Sequence, residues 1–164
     1  PGLLAVAEDN ERKMHDDVGS GDGLGRLVQH QRLARGQGLT TRLLRAALAE
    51  AQGTRERLLA LIRCELQSIM GGTGEAMAVL VYEWRSLSDE SQAYILSLRD
   101  TYEQIWLTVL GEARDAGYFK GDPFIQRRFL TGALSWTNTW FRPQGPMSLD
   151  QLAEEALSLV CKDF

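Results

Sequence analysis

Two cysteines, Cys64 and Cys161, and two histidines, His15 and His30, are all the Cys and His in a chain of 164 residues. No C-x-x-C occurs, and a closed zinc site would need all four residues at spacings that fit no finger. The cysteines read instead as two small, buried or half-buried thiols of a reducing compartment. Nucleophilic catalysis is equally unsupported. There is no G-x-S-x-G elbow, and both histidines fall in the irregular first segment. Asp16 and Asp17, like Glu154 and Glu155, are sequence neighbours, so on a helix their side chains diverge by about 100° and cannot share one substrate. The run Gly19-Ser20-Gly21-Asp22-Gly23-Leu24-Gly25 offers no G-x-G-x-x-G register and no G-K-[ST], and reads as a flexible linker. With no interlocking nucleophile, base and acid, the sequence predicts no enzyme, no metal and no cofactor.

The aromatic residues carry more information. Tyr82, Trp84, Tyr102, Trp106, Trp136 and Trp140 all fall in helical stretches, and Tyr102 and Trp106 are an i, i+4 pair. Met70 and Met77 flank a Gly71-Gly72 turn. Together with Leu66, Leu80 and Phe129 these residues predict a cavity between helices, lined by aromatics and adaptable methionines and suited to an apolar ligand. Ordinary core packing is the competing reading of the same residues. Arg85, Arg99, Arg128 and Arg142 are candidates for an anionic end of such a ligand.

The elements that must position these side chains are all helices. No stretch alternates as a strand does. Leu39 to Ala51 places Leu43, Leu44, Ala47, Leu48 and Ala51 on one face and stops at Gly53. The next helix starts near Thr54 and carries Leu58, Leu61, Ile62, Leu66, Ile69 and Met70. A short helix spans Glu75 to about Ser86. Ser88 caps the longest, Asp89 to Ala116, whose apolar stripe is Ile95, Leu98, Tyr102, Ile105, Trp106, Val109 and Ala113. Asp122-Pro123 restarts the chain.

From Phe124 to Phe141 apolar residues lie almost all round, which predicts a helix buried on more than one side. Ser148 and Gln151 have capping-box spacing at the start of the last helix. Two neighbouring helices with more apolar surface than one core can cover predict a homodimer. Its expected interface is Leu130, Leu134 and Phe141 on the first helix of the pair. On the second it is Leu149, Leu152, Ala153, Ala156, Leu157 and Val160.

The length, set against roughly 150 residues per domain, fits one domain over residues 39–164, preceded by a connecting helix and glycine-rich segment over 1–38. Hydrophobic residues make up 44% and charged residues 24%, which excludes a disordered chain. No apolar run reaches the roughly 18 residues of a membrane span, so the expectation is a soluble, cytoplasmic protein with no membrane partner. The 18 basic and 22 acidic residues give a net charge of −4, which argues against nucleic acid binding across the whole surface.

Two stretches carry a family resemblance. Glu83-Trp84-Arg85-Ser86-Leu87-Ser88, followed by Leu98-Arg99-Asp100-x-Tyr102-Glu103-x-x-Trp106, resembles the effector domain of TetR/AcrR-type transcriptional repressors. Gly132-Ala133-Leu134-Ser135-Trp136-Thr137-x-x-Trp140-Phe141-Arg142-Pro143-x-Gly145-Pro146, followed by Ser148, is similar to that family's closing helices. The resemblance covers about residues 54 to 164. It implies an all-α antiparallel helical bundle whose last two helices form a four-helix dimer interface. It further implies a ligand-responsive repressor, with the effector in a cavity among the helices of residues 54 to 141. The subgroup most resembled regulates fatty-acid or steroid-ring catabolism and senses acyl-CoA thioesters. A three-helix DNA-binding head precedes this domain in the family, and nothing in residues 1 to 53 supplies it. Operator DNA is therefore expected as a partner only through a head absent from this chain. The alternative is a ligand-free helical dimerisation module.

Overall fold

Helix ends in this chain are set by local residues, and the computed structural model, which describes residues 38–71 and 87–161, places most of them at those signals. Helix α1 covers 38–50 and turns Leu44 into the core, with Ala47 and Leu48 packed against it. Helix α2, Thr54–Met70, follows Gly53, whose φ of 96° is open to glycine at no steric cost. Glu56 accepts the Gln52 backbone N–H at 2.7 Å across the junction. Helix α3, Asp89–Asp115, has 27 residues and is therefore about 40 Å long. The Ser88 side chain accepts from the Ser91 N–H, and Asp89 and Glu90 sit in the first turn, where the helix dipole favours acids.

The far end of α3 closes in a Schellman motif. Tyr118 N–H bonds to Ala113 O at 3.0 Å and Gly117 N–H to Arg114 O at 2.9 Å, with Gly117 at φ 88°. A Gly117→Ala variant is expected to lose about 1 kcal/mol, read as a lower urea midpoint with unchanged slope, because alanine is strained at that φ. An unchanged midpoint would mean that the turn is not held in this conformation.

Helix α4, Pro123–Trp136, begins as predicted, with Asp122 Oδ1 accepting from the Phe124 N–H at 2.7 Å and proline in the first turn. It ends sooner than the all-round apolar stretch predicts. The Thr137 hydroxyl donates to Leu134 O at 2.6 Å, and the chain tightens into a 3-10 turn over Thr137–Thr139. The Phe141 N–H then bonds back to Thr137 O at 2.8 Å, and the Phe141 side chain is buried. Helix α5, Leu149–Val160, carries the full capping box: Ser148 N–H to Gln151 Oε1 at 2.8 Å and Gln151 N–H to Ser148 Oγ at 3.1 Å.

The central element is α2, which packs against α3, α4 and α5. Its Leu58, Leu59, Leu61, Ile62, Cys64 and Leu66 are buried around most of its circumference, as a helix enclosed by neighbours requires. Ion pairs at the edge of the contact with α5, Arg55–Glu154 at 2.7 Å and Arg63–Asp150 at 2.9 Å, fix orientation more than stability. Exposed pairs of this kind contribute less than about 1 kcal/mol each. The described residues are helical or irregular, with no strand, and none of their helices is long and apolar enough to cross a membrane. Helical readings within 1–37, and the short helix predicted over Glu75 to Ser86, lie outside the described residues.

Candidate functional site

A polar pair interrupts the apolar contact between α2 and α3. The Tyr102 hydroxyl donates to Glu65 Oε2 at 2.5 Å, joining the two helices well inside the bundle. Burial is the largest influence on Glu65 and raises its pKa above the ordinary value, while the Tyr102 bond and the charge of Arg127 pull it down. Tyr102 is pushed far above the usual phenol range, by burial first and then by the negative Glu65. One turn along α3, Trp106 is fully buried, and its indole N–H lies against the Tyr102 hydroxyl, where it draws that phenol's pKa downward. From α4, Arg127 Nη1 donates to Glu103 at 3.0 Å, and both side chains are largely buried.

Leu66 and Trp106 belong to the core cluster, with Met70 and Tyr102 packed against it, so the structure gathers four of the predicted ligand residues. Met77, Leu80 and Trp84 lie outside the described residues. The other three do not join the group: Phe129 is 77% exposed, Trp136 67% and Trp140 50%. The arginines proposed for an anionic end are also surface residues where described. Arg99 and Arg142 are exposed, and Arg128 is exposed and stacks 4.3 Å over the Phe124 ring.

Phe129 and Trp136 lie on a face of α4 opposite the one predicted to dimerise. Leu130, Leu134 and Phe141, expected between protomers, are buried within a single protomer, as are Leu152, Ala153 and Leu157 of α5. Leu149, Ala156 and Val160 are half-buried at its margin. The reason is geometric. Leu130 and Leu134 fall four residues apart on the side of α4 facing α2 and α3, while Ile125, Phe129, Gly132 and Trp136 step by four, three and four along the other side. That outer row is exposed, and a Cβ at Gly132 would meet nothing within 4 Å. Leu159 of α5 is 88% exposed.

Glu65 and Arg127 were not singled out from the sequence, and Glu103 entered only as part of the family motif. The signal for Glu65 is its position: Leu58, Ile62, Glu65 and Ile69 step by four, three and four, so the acid sits within the apolar stripe of α2. Among the described residues no group of three or more His, Cys, Asp and Glu could hold a metal. Both thiols are buried, with pKa values raised chiefly by that burial, which leaves them protonated and poorly reactive at neutral pH.

The raised Glu65 pKa has a consequence for stability. The folded state holds a proton on Glu65 that the unfolded chain has released once the pH passes 4.5, the ordinary value. Its contribution is therefore present at low pH and lost as pH rises through the folded pKa. Urea melts from pH 4.5 to 8 are expected to show wild type losing stability relative to Glu65→Gln as pH rises. Parallel profiles would contradict this assignment.

The all-helical bundle is the fold of a solved TetR/AcrR-family transcriptional regulator from Thermobifida fusca, with a TM-score of 0.65 at 21% identity over 83% of this chain and 72% of that one. The chain belongs to the tetracyclin repressor-like, C-terminal domain family, whose model matches residues 51–164. It is similar to the HTH-type transcriptional repressor KstR2 of Rhodococcus jostii, 27% identical over 108 residues that cover 60% of this chain and 53% of the relative. The Mycobacterium tuberculosis KstR2 is 26% identical over 87 residues, 50% of this chain and 44% of the relative. The chain thus spans about half the length of the curated relatives it matches.

Among solved structures, the superantigen PfiT is 65% identical, with a TM-score of 0.74 over 84% of this chain and 73% of that one. AibR in complex with isovaleryl coenzyme A and operator DNA shares the fold at 21% identity. Its TM-score is 0.59 over 84% of this chain and 78% of that one.

Proposed function

We propose that this chain is the small-molecule-sensing and dimerising part of a TetR-type repressor that acts in the cytoplasm. The observation that carries the reading is the Glu65–Tyr102 pair beside the Trp106 indole, a set of convergent polar groups in an otherwise apolar interior. The ligand is an apolar or acyl-CoA-like metabolite, a choice supported by the isovaleryl coenzyme A bound in AibR. Binding favours one arrangement of the dimer over another, and a DNA-binding head outside this chain reads that arrangement.

The homodimer forms through the exposed row of α4, Ile125, Phe129, Gly132 and Trp136. A large exposed apolar patch marks an interaction site, and a two-fold axis lets the same row meet itself. Gly132 and Ala133, without bulk, allow the two helices to approach closely. The test is a thermal-shift panel of acyl-CoA thioesters. A cognate thioester at 100 times its Kd raises stability by about 2.7 kcal/mol, and a panel without response overturns the ligand assignment.

A second reading is superantigen activity, favoured by the 65% identity to PfiT. It makes the protein surface, rather than the interior, the functional part. Endotoxin-free protein added to mixed T cells with presenting cells is expected under this reading to stimulate many receptor families at once. Stimulation that requires digestion of the protein to peptides, or none at all, removes it.

A further inference from the structure

Four partly buried polar side chains from three helices converge beside the core: Glu65 of α2, Tyr102 and Glu103 of α3, and Arg127 of α4. The Tyr102 hydroxyl donates to Glu65 Oε2 at 2.5 Å, and Arg127 Nη1 donates to Glu103 Oε1 at 3.0 Å. Arg127 is 17% exposed and Glu103 26%, which makes theirs the most enclosed ion pair among the described residues. The charge of Arg127 also reaches Glu65, so one guanidinium faces two carboxyl groups. While Glu65 keeps its proton the charges balance, one guanidinium against the carboxylate of Glu103. Once Glu65 ionises it needs a partner, because an unpaired charge in a poorly solvated place is costly. The groups facing it are the Cys64 thiol on its own helix, Tyr102 on α3 and Arg127 on α4, and of these only Arg127 is positive. The acids that α5 brings to α2, Asp150 and Glu154, are held by Arg63 and Arg55.

Arg127 is also the link to the outer side of α4. It steps by three and four to Leu130 and Leu134 on the inner side, while Ile125, Phe129, Gly132 and Trp136 form the exposed row. Its bond to Glu103 ties that inner side to α3 and presents the row in one arrangement. We infer that the Glu65 proton decides which carboxylate Arg127 holds, and through Arg127 how tightly the outer row of α4 binds a second copy of this chain. With the proton present, Arg127 stays on Glu103 and the row is preorganised. With the proton gone, the guanidinium moves to Glu65, and association must restore the order that the tie to α3 supplied. The dimer is therefore tightest at low pH and weakens as pH rises through the Glu65 titration. This rests on the dimer reading above and adds its regulation.

Sedimentation equilibrium of the full chain at pH 5, 6, 7 and 8 reads the dimer Kd. In wild type it is expected to rise roughly tenfold across this range, a modest value for coupling between two sites. Glu65→Gln is expected to hold the low-pH Kd throughout. It keeps His15 and His30, which titrate over the same range, so a slope carried by the histidines would persist in it. In wild type the 15N signal of the Arg127 side chain, assigned from Arg127→Lys, is expected to shift with the same midpoint as Kd. A Kd that does not vary with pH overturns the inference and leaves the dimer reading standing. A slope that survives in Glu65→Gln, or an Arg127 signal that stays in place, does the same. If the chain is monomeric at every pH and at micromolar concentration, both fall.

Discussion

Replacing Trp106 by alanine is expected to cost roughly 3–5 kcal/mol, the range for removing a large aromatic from a core. For a chain of this size that lowers the thermal midpoint by about 10–15 °C. Trp106 is 0% exposed, sits at the middle of the longest helix, and belongs to the core cluster shared by α2 and α3. Trp106→Phe keeps most of the ring volume and removes the indole N–H, so it is expected to cost less than half as much. Melts followed by circular dichroism decide the point. An alanine variant melting within 2 °C of wild type would show that the α2–α3 contact is not centred on this residue.

The double variant Phe129→Glu, Trp136→Glu is expected to convert a dimer into a folded monomer. These side chains are 77% and 67% exposed in the protomer, so changing them leaves its core intact. Aromatic anchors in an interface are worth about 2 kcal/mol or more each, so the dimer Kd rises by roughly 1,000-fold for the pair. Light scattering after size exclusion measures it. Leu134→Glu, 2% exposed in the protomer, is expected to unfold the chain instead. A double variant that stays dimeric at micromolar concentration would place the interface elsewhere.

The double variant and Leu134→Glu fall on opposite faces of one helix, and the difference shows where the sequence is legible. The start and end of α2, the Ser88 and Asp122 caps and the Ser148–Gln151 box all depend on residues within a turn of one another, so each is readable locally. The end of α4 is not. Apolar residues continue to Phe141, but the Thr137 hydroxyl takes Leu134 O and the helix tightens five residues short of that point. Nor does an apolar ring of residues declare which side is inward. That choice is made by α2 and α3, which enclose Leu130 and Leu134 and leave Phe129 and Trp136 outside. Phe129 and Trp136, expected at the ligand, therefore lie outside the protomer core, and Leu130 and Leu134, expected at the dimer interface, lie within it. Trp106 and Leu66 lie in the core and Tyr102 and Met70 against it, on the apolar stripes that the sequence shows for those helices. Glu65 was missed because a lone acid in such a stripe gains meaning only from the tyrosine facing it on another helix.

The ion pairs show the same limit. Arg55–Glu154 joins residues 99 apart in sequence, and no local pattern on α2 announces α5 as its neighbour. Glu154 read from its own surroundings is solvated surface, and in the bundle it remains 41% exposed while it steers the last helix onto α2.

The central claim joins dimerisation to ligand sensing, and sedimentation equilibrium with isovaleryl coenzyme A tests both in one cell. The chain has a mass of 18.3 kDa. The expected result is a single species at twice that mass, with nucleotide absorbance redistributing along with the protein. A species at the mass of one chain, with the absorbance of the thioester left uniform across the cell, would contradict the account.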